Sequence, residues 1–117
     1  MAITPLNVFR AVRFEVTTST VGIYTAPANV ASIILGAYAA NVGTGIHTVT
    51  ASHYRATVGS DSYGEIAIVN GIKIPAHDTL SMLDGKLILE TDDEFRISGT
   101  QAGSVEVVLN ILETAKQ

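Results

Sequence analysis

The sequence predicts an all-β domain, an antiparallel sandwich of about eight to nine strands. Three observations carry this. Valine, isoleucine and threonine number 12, 12 and 13 of 117 residues, and such β-branched side chains fit a pleated strand and are stiff in a helix. Apolar residues alternate with polar ones over short segments, and amphipathic heptads are missing. Glycine and small polar clusters interrupt the chain every ten residues or so, the spacing of strand turns. Residues 1–7 are read as an N-terminal arm and residues 8–117 as a single sandwich domain.

The elements follow in order. Met1 to Asn7 contains Pro5, and arms of this kind either fray or add to a neighbouring subunit. From Val8 to Val16, the residues Val12, Phe14 and Val16 alternate with Arg13, Glu15 and Thr17, which puts the first set inward. Thr18 to Thr20 turns the chain. Val21 to Thr25 is a short strand ended by Ala26-Pro27-Ala28-Asn29, because Pro27 cannot donate to a ladder. Val30 to Asn41 is the most apolar segment. A helix competes on its alanine content, but Val30, Ile33 and Ile34 are β-branched and Pro27 and Gly43 bound the run, so a central strand is preferred, with Gly36 at a bulge or bend.

Asn41 to Gly45 is a turn. Ile46 to Val58 alternates, yet neither face is strongly apolar, so this strand is expected at the periphery. Tyr63 to Asn70 is a strand, Asn70-Gly71 a hairpin turn, and Ile72 to Ile74 the return, stopped by Pro75. His77 to Leu83 is a further strand candidate. Asp84-Gly85 is a second tight turn, after which Leu87 and Leu89 face in and Lys86, Ile88 and Glu90 face out. Thr91-Asp92-Asp93 turns, Phe95 and Ile97 point inward, and Ser104 to Glu113 is the last strand before a tail, Thr114 to Gln117.

Composition narrows function by exclusion. The chain is 47% hydrophobic and only 15% charged, with mean hydropathy +0.35, which is incompatible with a disordered chain. Seven Lys and Arg against eleven Asp and Glu leave a net charge of -4, the wrong sign for a nucleic-acid binder. The charge is uneven: residues 1–60 hold three arginines and one glutamate, a sum of +2, and residues 61–117 hold ten acids and four bases, a sum of -6. Cysteine is absent, which removes disulfides and thiolate chemistry. The first eight residues lack the cationic start and apolar stretch of a secretory signal. The longest apolar run, Ile33 to Ala40, is far short of a bilayer span, so a soluble protein with no membrane partner is expected.

No residue pattern carries catalysis, a cofactor or a metal. His47 and His53 sit six residues apart on one strand face, about 20 Å if regular, too far to share an ion within one subunit. His77 lies in a turn beside Pro75. All three histidines are expected at the surface. Asp92-Asp93-Glu94 is the densest acidic run, but it lacks the spacing of a calcium loop and reads as a solvated turn. There is no Gly-x-Ser-x-Gly, Gly-x-Gly-x-x-Gly or P-loop. Sugar stacking on Tyr24, Tyr38, Tyr54 or Tyr63 stays open, although tyrosines at the core or a sheet edge are the commoner case.

Two stretches carry a resemblance. The first is Ile23-Tyr24-Thr25-Ala26-Pro27-Ala28-Asn29 with the apolar strand that follows. The second runs from Val69-Asn70-Gly71-Ile72 through Asp78-Thr79-Leu80, Leu83-Asp84-Gly85-Lys86-Leu87 and Thr91-Asp92-Asp93 to Phe95-Arg96-Ile97-Ser98-Gly99 and Val105 to Glu113. Together they cover about residues 20–113 and resemble small β-sandwich structural proteins of tailed-bacteriophage virions. One departure is Asp92, at a turn position where the family carries glycine. The resemblance implies a jelly-roll-like sandwich and a non-enzymatic virion protein. Its foremost role there is a head decoration or cement protein acting as a homotrimer. The alternatives are a neck or tail component, or a glycan- or receptor-binding module. The implied partners are the major capsid protein or other virion proteins, and no cofactor is implied. The residues expected to make the contact are Ala2, Ile3, Thr4, Pro5, Leu6 and Asn7 of the arm, with Arg10 and Arg13 nearby.

Overall fold

The computed structural model describes residues 7–55 and 64–115. Nine strands follow in order: β1 (Asn7–Glu15), β2 (Val21–Thr25), β3 (Val30–Asn41), β4 (His47–Arg55), β5 (Glu65–Ile74), β6 (Thr79–Ser81), β7 (Leu87–Leu89), β8 (Asp93–Gly99) and β9 (Val105–Ala115). They form two antiparallel sheets. The first, sheet A, has the order β1-β9-β3-β6, with β7 also on β3; the second, sheet B, has the order β2-β8-β4-β5. Most connections cross from one sheet to the other, which is the jelly-roll arrangement.

The core lies between the sheets and is built by period-two alternation. Val105, Val107, Leu109 and Ile111 of β9 are all buried beside Ile34 of the neighbouring β3, and form one core with Phe95 and Ile97 of β8 and Val49 of β4 from the opposite sheet. Val12, Phe14 and Val16 point inward, as their alternation predicts, with Val16 in the core and the other two packed against it. β3 is a central strand and not a helix. It pairs with β9 along its length, and the register slips between Ile34 and Gly36, leaving Leu35 as the extra residue of a bulge.

Four details depart from the sequence reading. β4 is interior, between β8 and β5, and its Val49 and Ala51 are fully buried. Its inward residues are few and small, so its apolar content understates its position. Asn70-Gly71 is not a hairpin turn, because β5 runs through it. Gly71 takes a φ of 63°, and the register against β4 slips there, so the pair makes a glycine bulge. The same demand for positive φ is met in a different setting. The His77–Leu83 segment yields only the three residues of β6. The tail is shorter than expected, since Thr114 still pairs with Asn7 and with Ala31.

Candidate assembly interface

Among the described residues, exposed large apolar side chains gather most on the outward side of sheet A. Register places Phe9 opposite Leu112, Leu112 opposite Ile33, and Ile33 opposite Ile88. These side chains form one row across four strands, and its ends are the most open, with Phe9 73% and Ile88 61% exposed. A second row holds Arg13, Val108, Tyr38 and Ser81. Between them lie Ala11, Asn110 and the bulged Leu35, which with Phe9, Arg10 and Ile111 line a shallow hollow of about 350 Å³. Exposed apolar side chains are ordinary when scattered; here they line up in one row, which makes this face the candidate contact surface.

The residues named from the sequence fall around this face unequally. Ala2, Ile3, Thr4, Pro5 and Leu6 lie outside the described residues. Asn7, the last residue of the arm, is already in β1 and pairs with Thr114. Arg10 has the parity of Val12 and Phe14, and its Nε donates to Glu113 Oε1 at 2.8 Å, so its charge is engaged within the chain. Arg13 is exposed on the outer face beside Val108. The apolar row was missed. Its signal was the parity that set Ile88 apart from Leu87 and Leu89, and Phe9 apart from Val8.

Two polar clusters brace the end of the sandwich at which β1 begins. In the first, the Tyr24 hydroxyl donates to Glu113 Oε2 at 2.5 Å and lies 2.9 Å from Ser32 Oγ. Burial pushes the Tyr24 phenol up to about 12, and its bond to the Glu113 carboxylate adds to this. Burial alone would raise the Glu113 carboxyl, but hydrogen bonds from Arg10 and Tyr24 outweigh it and hold it below the usual range.

The second cluster corrects the reading of Asp92-Asp93-Glu94 as a solvated turn. Asp93 is 1% exposed. It accepts from Arg55 Nε at 3.0 Å and Nη2 at 2.9 Å, from His53 Nε2 at 2.8 Å and from the Glu90 backbone N–H at 2.9 Å. Burial opposes the charge, and these donors overcome it, leaving the carboxyl at about 2. An ionised carboxylate can only accept, so His53 donates through Nε2. His53 is therefore engaged and not a free surface residue. Asp92 takes a φ of 70°, the left-handed conformation that glycine would adopt at this turn.

These groups are mutually satisfied, which suits bracing the strands they join. Among the described residues there is no group of three or more His, Cys, Asp or Glu placed to hold a metal ion. Tyr54 is covered by the Arg96 guanidinium 3.4 Å above its ring, and Tyr24 is buried. Tyr38 remains exposed, and Tyr63 is outside the described residues.

No family model matches the chain, and no curated protein matches it. Solved structures do. One is from Bacillus endospore appendages, described as a family of disulfide-linked pili, with a TM-score of 0.56 at 17% identity over 99% of this chain and 98% of that one. Another is from the T13 particle of infectious bursal disease virus, with a TM-score of 0.54 at 9% identity over 95% of this chain. The chain spans 32% of that viral protein. At these identities the likeness is one of fold: both neighbours place this sandwich in proteins that build assemblies.

Proposed function

We propose that this chain is a non-enzymatic structural subunit of a virion or other extracellular assembly, bound to protein neighbours through the outer face of sheet A. The observation that carries this is the contiguous row of Phe9, Leu112, Ile33 and Ile88, open at both ends. The two fold neighbours support it, since both come from assemblies. The disulfide linkage named for the pili has no counterpart in a chain without cysteine, so cohesion here rests on packing and on strand contacts.

The finer form of the proposal is a capsid decoration protein of a tailed bacteriophage, homotrimeric, with Ala2 to Asn7 and Arg13 reaching neighbouring subunits. Its support is the sequence resemblance. The mechanism is mass action: a protein that binds the assembled shell and not its separated parts shifts the equilibrium toward the shell. The test is co-sedimentation with capsids lacking the protein, comparing wild type, a deletion of residues 2–6, and the double variant Phe9→Ser, Ile88→Ser. Loss of binding by tenfold or more in the double variant is expected. Unchanged binding in both variants would overturn the proposal.

A further inference from the structure

A β-sheet edge presents unpaired N–H and C=O groups, and proteins blunt edges by shortening, bulging or charging them. Three of the four edges here are treated in this way. β2 has five residues and a register slip. The far edge of sheet A is split into β6 and β7, of three residues each. β5 slips register twice against β4. β1 is different: it has nine residues, no proline and an unbroken register with β9. Of its charged side chains, Arg10 is exposed but paired with Glu113, and on the outward-bonding parity stand only Arg13 and Glu15, of opposite sign.

The direction of the free backbone groups follows from one bond. Val16 N–H donates to Val105 O at 2.8 Å, and those two residues continue the β1–β9 register. Val16 and the residues of its parity therefore bond toward β9. Asn7, Phe9, Ala11, Arg13 and Glu15 then turn their N–H and C=O groups outward. Among the described residues, no strand pairs with that side.

We propose that this edge pairs with the same edge of a second copy, antiparallel and two-fold symmetric, with Ala11 on the axis. This inference rests on the assembly reading above and names its partner. The register is the one that overlaps all of β1. It sets Ala11 against the partner's Ala11, Phe9 against the partner's Arg13, and Asn7 against the partner's Glu15. All of these are outward-bonding residues, so the seam makes about ten backbone hydrogen bonds. No like charges oppose one another. The partner's Arg13 lies over the exposed ring of Phe9, a cation–π contact, with its stem along the hollow between Phe9, Ala11 and Leu35. The two outer faces become one continuous surface. A three-fold contact made elsewhere on the molecule only once subunits bind a shell is compatible with this seam, and together the two would tile it.

The absence of cysteine permits a direct test on the full chain. Across a hydrogen-bonded antiparallel pair, Cα atoms lie about 5.5 Å apart, within disulfide range. Ala11→Cys is expected to form a covalent dimer on mild oxidation, and Arg13→Cys alone is not. Mixing Arg13→Cys with Phe9→Cys is expected to form the mixed dimer. Light scattering of the wild type should give about twice 12.3 kDa at high concentration. Ala11→Pro removes an outward N–H, which an edge strand tolerates, and should return the mass to that of one chain with its circular dichroism unchanged. A trimer that Ala11→Pro leaves intact, or equal crosslinking at positions 11 and 13, would overturn the edge pairing while leaving the assembly role standing. A monomer at every concentration with no Ala11→Cys dimer overturns the pairing as well. Failure of that monomer to bind any shell would overturn the assembly role too.

Discussion

Asp93 shows how one side chain can brace an end of a sandwich. A carboxylate that is 1% exposed is tolerable only when its lone pairs are filled, and Arg55, His53 and the Glu90 N–H fill them. Its pKa falls from 3.8 to about 2. Because the folded value is depressed, the stabilisation is fully present above the unfolded pKa and is lost as pH falls from about 4 to 2. Linkage puts this at about 2 kcal/mol. Asp93→Asn should therefore destabilise the fold at pH 7 by about 2–4 kcal/mol, since Arg55 loses its buried partner. It should also flatten the acid limb of the stability curve. Urea melts at pH 7 and pH 2.5 check both. The sequence showed Asp93 as a turn residue, and at that turn it accepts the Glu90 N–H. Its burial was illegible because the two side-chain donors that permit it, His53 and Arg55, lie 40 and 38 residues away.

Tyr24 has the opposite sign of pH dependence. Its folded pKa is raised to about 12, so its contribution is intact below the unfolded value near 10 and is lost as pH climbs toward 12. Ultraviolet titration of the native protein should show a tyrosine component ionising near pH 12. Tyr24→Phe should remove that late component. A native titration with no component above pH 11 would contradict the buried bond to Glu113.

At the scale of elements, local chemistry and tertiary position were legible to different degrees. Alternation placed Val12, Phe14 and Val16 inward, Leu87 and Leu89 inward and Ile88 outward, and the structure agrees. Turn chemistry marked Gly71 for positive φ without deciding between a hairpin and a bulge. Pairing partners decide that, and β5 pairs with β4 on both sides of it. β4 itself was misplaced because sheet position depends on neighbours as well as on hydrophobicity. Gly99, at the end of β8, is a second case. A Cβ there would meet Val16 Cγ1 at 2.7 Å and the Thr48 carbonyl at 3.2 Å, where the chain leaving β1 crosses against β8. Gly99→Ala should cost about 1–3 kcal/mol by overpacking, measured as a fall in the urea midpoint. A neutral result would mean that Val16 can shift without loss of its burial.

At the scale of the whole molecule, topology was the least legible feature, because the first strand pairs with the last and nothing local encodes that. The same topology gathers both buried carboxylates at one end. Glu113 pairs with Val8 and Ser32, and Asp93 joins the β2–β3 turn through Ala26 N–H to Asp93 O at 2.9 Å. The far end is held by different means. Asn41 Nδ2 donates to the Gly45 and Ile74 carbonyls at 2.8 Å each, and these neutral bonds do not titrate. Acid should therefore loosen the molecule from one end. As pH falls below 4, both Asp93 and Glu113 lose the stabilisation of their depressed pKa values. Hydrogen exchange, corrected for its intrinsic pH dependence, should rise first in residues 24–32, 93–95 and 111–115. Residues 39–42, 72–74 and 105–107 should keep their protection until global unfolding. Uniform loss of protection along β9 would show instead that the sandwich opens as one cooperative unit and that the two clusters do not mark a weaker end.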